Sequence, residues 1–166
     1  HHYAALGAVY LGDDLFSHQP LCQAVLEADG HFIFVCKPSS HPLIQEYLSG
    51  IELPMLEQTL RRGKQRFIYR YRWLDDVPLR DGKDALRVNW FEIAIVNAKG
   101  ETTYRNSFVT DLPVAADTVI ELAACGRARW KIENETFNVL KTRGYNLEHS
   151  FGHGKHNLAA ILVSLN

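Results

Sequence analysis

Two short apolar runs near the start of the chain, residues 8–12 (Ala-Val-Tyr-Leu-Gly) and 32–36 (Phe-Ile-Phe-Val-Cys), read as buried strands. A helical pattern from 19 to 28 lies between them and another, opened by Pro42, covers 42–48, with Gly30 and Pro38 as punctuation. The rhythm then changes to period two. Residues 66–73, 87–96 and 102–110 are rich in β-branched and aromatic side chains, and 97–101 (Asn-Ala-Lys-Gly-Glu) reads as a hairpin turn between the last two. After Pro113 helical character returns. Asp117 or Thr118 is the expected N-cap of a long helix over 117–144, and Gly144 its C-cap. The order is αβ, then a strand-rich block, then a helix, which predicts an α/β fold in a single domain spanning 1–166, without repeats or an extended linker.

Chemistry concentrates at two places. The first strand delivers Asp13 and Asp14 at its C-terminal tip, where ligands gather in open α/β sheets. On the last helix Arg129 and Glu133 are four residues apart and share a face, close to an apolar stripe of Trp130, Phe137 and Leu140. A carboxylate from a strand end and another from a helix suit hard divalent ions, which take oxygen ligands and activate both oxygens of a phosphoryl transfer. Taken singly, the acidic pair also reads as a turn or helix cap, and Arg129 with Glu133 as a surface ion pair.

In this order the segments resemble the DDE transposases of bacterial insertion sequences, whose catalytic domain has a ribonuclease H-like fold. Gly12-Asp13-Asp14-Leu15-Phe16 is similar to the family's second-aspartate motif, in which the catalytic Asp ends a strand and an aromatic follows three residues later. That register selects Asp13, with Asp14 as second choice. Arg129-Trp130-Lys131-Ile132-Glu133 is similar to the third-carboxylate signature, with Lys141 in the place of the Lys that follows by about two turns. Two positions depart from it. The family usually carries a Tyr three residues before the Arg, where this chain has Gly126, and Lys141 follows Glu133 by eight residues instead of seven. The extra residue rotates Lys141 roughly 80° around the helix from Glu133, where seven would give roughly 20°. Glu135, the rival carboxylate, points roughly 200° away from Glu133.

The resemblance implies a ribonuclease H-like core with a β-rich insertion, about 60–112, between the second Asp and the glutamate helix. It implies Asp13 and Glu133 as catalytic and as ligands of Mg²⁺ or Mn²⁺, with Arg129 and Lys141 clamping phosphates of DNA at the transposon end. The partners would be transposon-end and target DNA, with a synaptic homodimer and no membrane. The family's first catalytic Asp has no counterpart before Asp13, so the chain reads as the C-terminal part of such a catalytic domain, inactive alone. Two other classes remain: a non-catalytic DNA-binding module derived from a transposase, and a metal-dependent nuclease unrelated to mobile elements.

The remaining features adjust this picture. No apolar run reaches membrane-spanning length, and three widely spaced cysteines, Cys22, Cys36 and Cys125, in apolar contexts predict reduced buried thiols and a cytoplasmic protein. The net charge of −1 does not advertise nucleic-acid binding, but its distribution does. A basic run, Arg61-Arg62-Gly63-Lys64-Gln65-Arg66, enters a strand alternating aromatic and basic residues, so one strand face could meet phosphates and the other the core. Residues 149–156 hold His149, His153 and His156 in a glycine-containing loop that lacks the cysteines and rigid frame of a structural zinc site. Lys155 there, ahead of a helix beginning near Asn157, is a better candidate for touching a DNA phosphate.

Overall fold

A computed structural model describes residues 7–131. The chain divides into two compact units, His1–Gly126 and Arg127–Asn166. The first is α/β, with a six-stranded, mostly antiparallel sheet. Strand β1 is Val9–Gly12, helix α1 Gln19–Glu27, β2 His31–Val35, and helix α2 Pro42–Ser49. There follow β3 (Met55–Arg62), β4 (Gln65–Pro78), β5 (Arg87–Asn97) and β6 (Thr102–Thr110), and helix α3 is described over Val119–Lys131. The strand order is β1-β2-β6-β5-β4-β3. Only β1 and β2 run parallel, joined through α1; every other pair is antiparallel.

Period-two alternation divides the core into two layers, one on each side of the sheet. Ile33, Tyr71, Phe91, Ile93 and Phe108 face one way, with Val119, Leu122 and Ala123 of α3 packed on them. Phe32, Phe34, Trp90 and Val109 face the other way, with Cys22 of α1 and Ile44 of α2. The spacing of Val119, Leu122, Ala123 and Gly126, all buried, is that of one helix face, which turns Cys125 outward. Cys125 is therefore exposed, a correction to the expectation of three buried thiols, whereas burial pushes the thiols of Cys22 and Cys36 up to about 12.

The predicted strands and helices of the first unit appear within a few residues of their expected ends. The strand-rich block starts earlier than expected, because β3 precedes the basic run. Arg61 to Arg66 leads into β4 as expected, and with β3 before it the run forms the tip of the β3–β4 hairpin, with Arg62 paired to Gln65 across Gly63 and Lys64. Thr118 immediately precedes α3, its carbonyl accepting from the Leu122 N–H, while its hydroxyl turns back to the carbonyls of Pro113 and Ala115 instead of bonding an N–H of the helix. Among the described residues no helix is long and apolar enough to cross a membrane.

Candidate functional site

The tip of β1 is held by a close approach. A Cβ on Gly12 would lie 2.7 Å from Phe34 Cδ1 and 2.9 Å from Phe16 Cβ, so only glycine lets the chain turn over the Phe34 ring. Phe16 comes back onto that ring at a centroid distance of 6.0 Å. The spacing of glycine, acidic pair and aromatic thus has a mechanical reason: the turn folds over one phenylalanine and is pinned by another.

The two aspartates in this turn are used differently. Asp14 Oδ1 accepts the Lys37 N–H at 2.6 Å and Oδ2 accepts the Ser40 hydroxyl, tying the tip of β1 to the loop between β2 and α2. Its carbonyl accepts from Ser17 Oγ at 2.7 Å. Asp13 makes one local bond, Oδ1 to the Leu15 N–H at 3.0 Å, which leaves Oδ2 without a partner among the described residues. Both carboxylates are half-buried.

Behind the turn, Ser17 Oγ lies 2.7 Å from His41 Nε2, and both residues are buried. The serine has one proton, which it gives to the Asp14 carbonyl, so the ring nitrogen is the donor to Ser17 Oγ. A donor imidazole cannot act as the base for that serine, and the fully buried hydroxyl is out of reach of a substrate. The pair is a staple. Burial first, and the stacked His18 ring second, hold the His41 imidazole below its usual pKa against the opposing pull of Asp14. Lys37, Ser40, Ser17 and His41 were not singled out by sequence reasoning; the available signal was a polar cluster following a buried strand.

This division of labour predicts unequal effects on stability. Asp14→Ala removes the acceptor of two charge-assisted bonds and is expected to cost about 1.5–3 kcal/mol. Asp13→Ala loses one local bond and should cost less than about 1 kcal/mol. Urea unfolding of both variants followed by circular dichroism measures the difference, and equal losses would contradict it.

The second predicted cluster is reached only in part. Arg129 is half-buried on α3 and has an interaction partner. Glu133, Glu135, Lys141, Lys155 and the histidines of 149–156 lie outside the described residues. Gly126, where the signature usually has Tyr, is buried directly over Phe108: a Cβ there would sit 2.7 Å from Phe108 Cε1. Among the described residues no group of three or more His, Cys, Asp or Glu is arranged to hold a metal ion.

The alternating strand is β4. Phe67, Tyr69, Tyr71 and Trp73 join the α3-side core, while Arg70 and Arg72 point to the other face. They are not bare cations there: Arg70 Nε meets Glu57 at 2.5 Å, and Arg72 meets Glu92 through Nε and Nη2 at 3.2 and 2.6 Å. Glu92 is also 3.9 Å from Arg105. Compared with models of known protein families and with curated proteins, the chain matches none.

Proposed function

We propose that this chain belongs to the catalytic domain of a DNA transposase with a ribonuclease H-like core, cutting at mobile-element ends and joining the freed 3′-hydroxyl to target DNA. The observation that carries the reading is the Asp13 carboxylate: it stands at the C-terminal tip of the parallel strand β1 with Oδ2 uncommitted, while its neighbour is consumed in holding the turn. The parallel β1–α1–β2 unit, the antiparallel block that follows and the arrival of α3 after it support the same reading. The family's first catalytic Asp would come from a strand laid along the outer edge of β1, which pairs only with β2 among the described residues and exposes Val9 and Tyr10.

The donor chemistry suits Mg²⁺ or Mn²⁺, since Asp13 offers a hard oxygen and the signature adds Glu133 from the helix. Bound there, the ions would lower the pKa of the attacking water or hydroxyl and neutralise charge building on the phosphate. The chain's own part is positional. Phe16 and Phe34 fix the turn, Asp14 locks it to Lys37 and Ser40, and Asp13 is thereby presented with little freedom to retreat. Arg129 and Lys141 would hold the backbone of the transposon end, contacts that place the strand without reading its bases. Lys155 would add a further phosphate contact.

Mn²⁺ titration of the folded chain, followed by paramagnetic broadening of amide signals, tests the site even at low occupancy. Broadening centred on residues 12–16 is expected in the wild type, lost in Asp13→Asn and weakened in Glu133→Gln. A spectrum untouched around Asp13 would remove the catalytic reading and leave the non-catalytic DNA-binding module in its place.

A further inference from the structure

The strand directions bring a second charged region to the same end of the sheet as Asp13. β1 and β2 finish there, β6 starts there, and the β3–β4 and β5–β6 hairpins turn there. Val35, the last residue of β2, pairs with Phe108, yet β6 begins at Thr102. The two hairpins therefore project six residues, roughly 20 Å, past the level at which β2 ends. Their tips are adjacent, since Phe67 pairs with Asn97.

Positive charge gathers at these tips. Arg61, Arg62, Lys64, Arg66 and Lys99 stand against a single carboxylate, Glu101, in a chain whose net charge is −1. All five cations are exposed. Four of them, Arg61, Arg62, Lys64 and Lys99, have no side-chain partner among the described residues, and Arg66 has only a long 3.5 Å bond to Thr59 Oγ1. The contrast with Arg70, Arg72, Arg80 and Arg87 is informative, because each of those is held by a carboxylate. Two open grooves flank the tips, one of about 430 Å³ with Arg66 and Arg70 on its wall and one of about 390 Å³ with Arg66 and Lys99. Arg66 stands between them.

We propose that the paired hairpin tips are a docking surface for the phosphate backbone of duplex DNA. The proposal rests on the DNA reading above and adds to it a contact surface remote from the carboxylate. Five exposed cations that no carboxylate neutralises among the described residues, on an open surface, complement a polyanion. The position suits the same duplex. Combining roughly 20 Å along the strands with three or four strand spacings of about 4.8 Å across the sheet puts the tips some 25 Å from Asp13, about seven base pairs at 3.4 Å each. A duplex with its scissile phosphate at Asp13 would lie over the tips well before its next full turn.

The test is the salt dependence of binding to a fluorescein-labelled duplex of arbitrary sequence, read by anisotropy, for the wild type and the triple variant Arg62→Gln, Lys64→Gln, Arg66→Gln. All three sites are exposed, and an unchanged circular dichroism spectrum and urea midpoint certify the fold of the variant. If the five cations each contact a phosphate, the tips alone contribute a roughly 500-fold fall in affinity between 50 and 200 mM salt. With three removed the tips' contribution shrinks to about 12-fold, so the overall fall is roughly 40-fold smaller than in the wild type, and binding is already weaker at the lower salt. Wild-type binding whose salt dependence the triple variant leaves unaltered would overturn the tip proposal while keeping DNA as the partner. No binding by the wild type at low salt would overturn it as well, and the Mn²⁺ result at Asp13 then tells separately whether the catalytic reading survives.

Discussion

Phe108→Ala is expected to cost the fold about 3–5 kcal/mol, a large part of the stability of an ordinary domain. Its ring is fully buried and stacks on Phe91 at 5.1 Å with planes 23° apart. It also sits where three elements meet: Phe108 pairs with Val35 of β2 and with Phe91 of β5, and α3 lies on it through Gly126. Truncation removes the transfer free energy of the ring and leaves a cavity that two paired strands and a helix cannot readily collapse. Leu60→Ala on edge strand β3 is the control. Leu60 is 38% exposed, so less than about 1.5 kcal/mol is at stake. Denaturant midpoints at constant slope measure both, and comparable losses would mean that the core is not centred on β6.

Much of this architecture is legible in the chain because the informative signals are local. The runs of β1 and β2 are short, apolar and bounded by turn residues, and Pro42 announces α2. The hairpin over 97–101 is equally local: Asn97 Oδ1 accepts the N–H groups of Lys99 and Glu101, so a single side chain builds the turn. β3 is different. Met-Leu-Glu-Gln-Thr-Leu-Arg-Arg contains mostly good helix formers, and as an edge strand it is exposed along most of its length. It is extended because β4 offers an uninterrupted template, pairing with it from Met55–Arg72 to Arg62–Gln65. Propensity yields to tertiary context there, and no period within those residues reveals it.

The candidate site divides in the same way. The acidic pair at the strand tip is visible in the sequence, and so is the aromatic that follows. What distinguishes the two carboxylates is not, because the groups that occupy Asp14 come from Lys37 and Ser40, 23 and 26 residues further along. The basic run was visible as a run, but its meaning changed. Arg70 and Arg72, the cations that alternate with aromatics, are neutralised by Glu57 and Glu92 from the neighbouring strands, whereas the cations at the hairpin tips are left open. Local spacing shows which residues share a face; only strand pairing shows which charges cancel.

Gly126 joins the fold to the proposed function and gives the other large effect. Its place on the buried face of α3 puts Phe108 Cε1 at 2.7 Å and Cδ1 and Cζ at 3.0 Å from any Cβ. For Gly126→Ala two terms compete. Alanine gains about 1 kcal/mol of helix propensity, and the added methyl costs about 1–3 kcal/mol because the stacked Phe108 ring has no free volume to enter. The net change is a small loss. Gly126→Tyr, which would introduce the residue usual in the signature of the proposed family, has the same steric conflict at Cβ and adds a ring beyond it, over the buried Phe108. It is expected to cost more than about 4 kcal/mol, in the range reached only by severe overpacking or cavity formation. Combining it with Phe108→Ala should cost less than the sum of the two changes by about 0.5–3 kcal/mol, since the cavity relieves the clash. Urea unfolding of the four proteins closes this cycle. A Gly126→Tyr chain within about 1 kcal/mol of the wild type would show that α3 does not sit on Phe108. A large loss with strong coupling would mean instead that this chain seats α3 by close packing at Gly126, so that under the proposed reading Arg129 and Glu133 would act without the tyrosine usual in that signature.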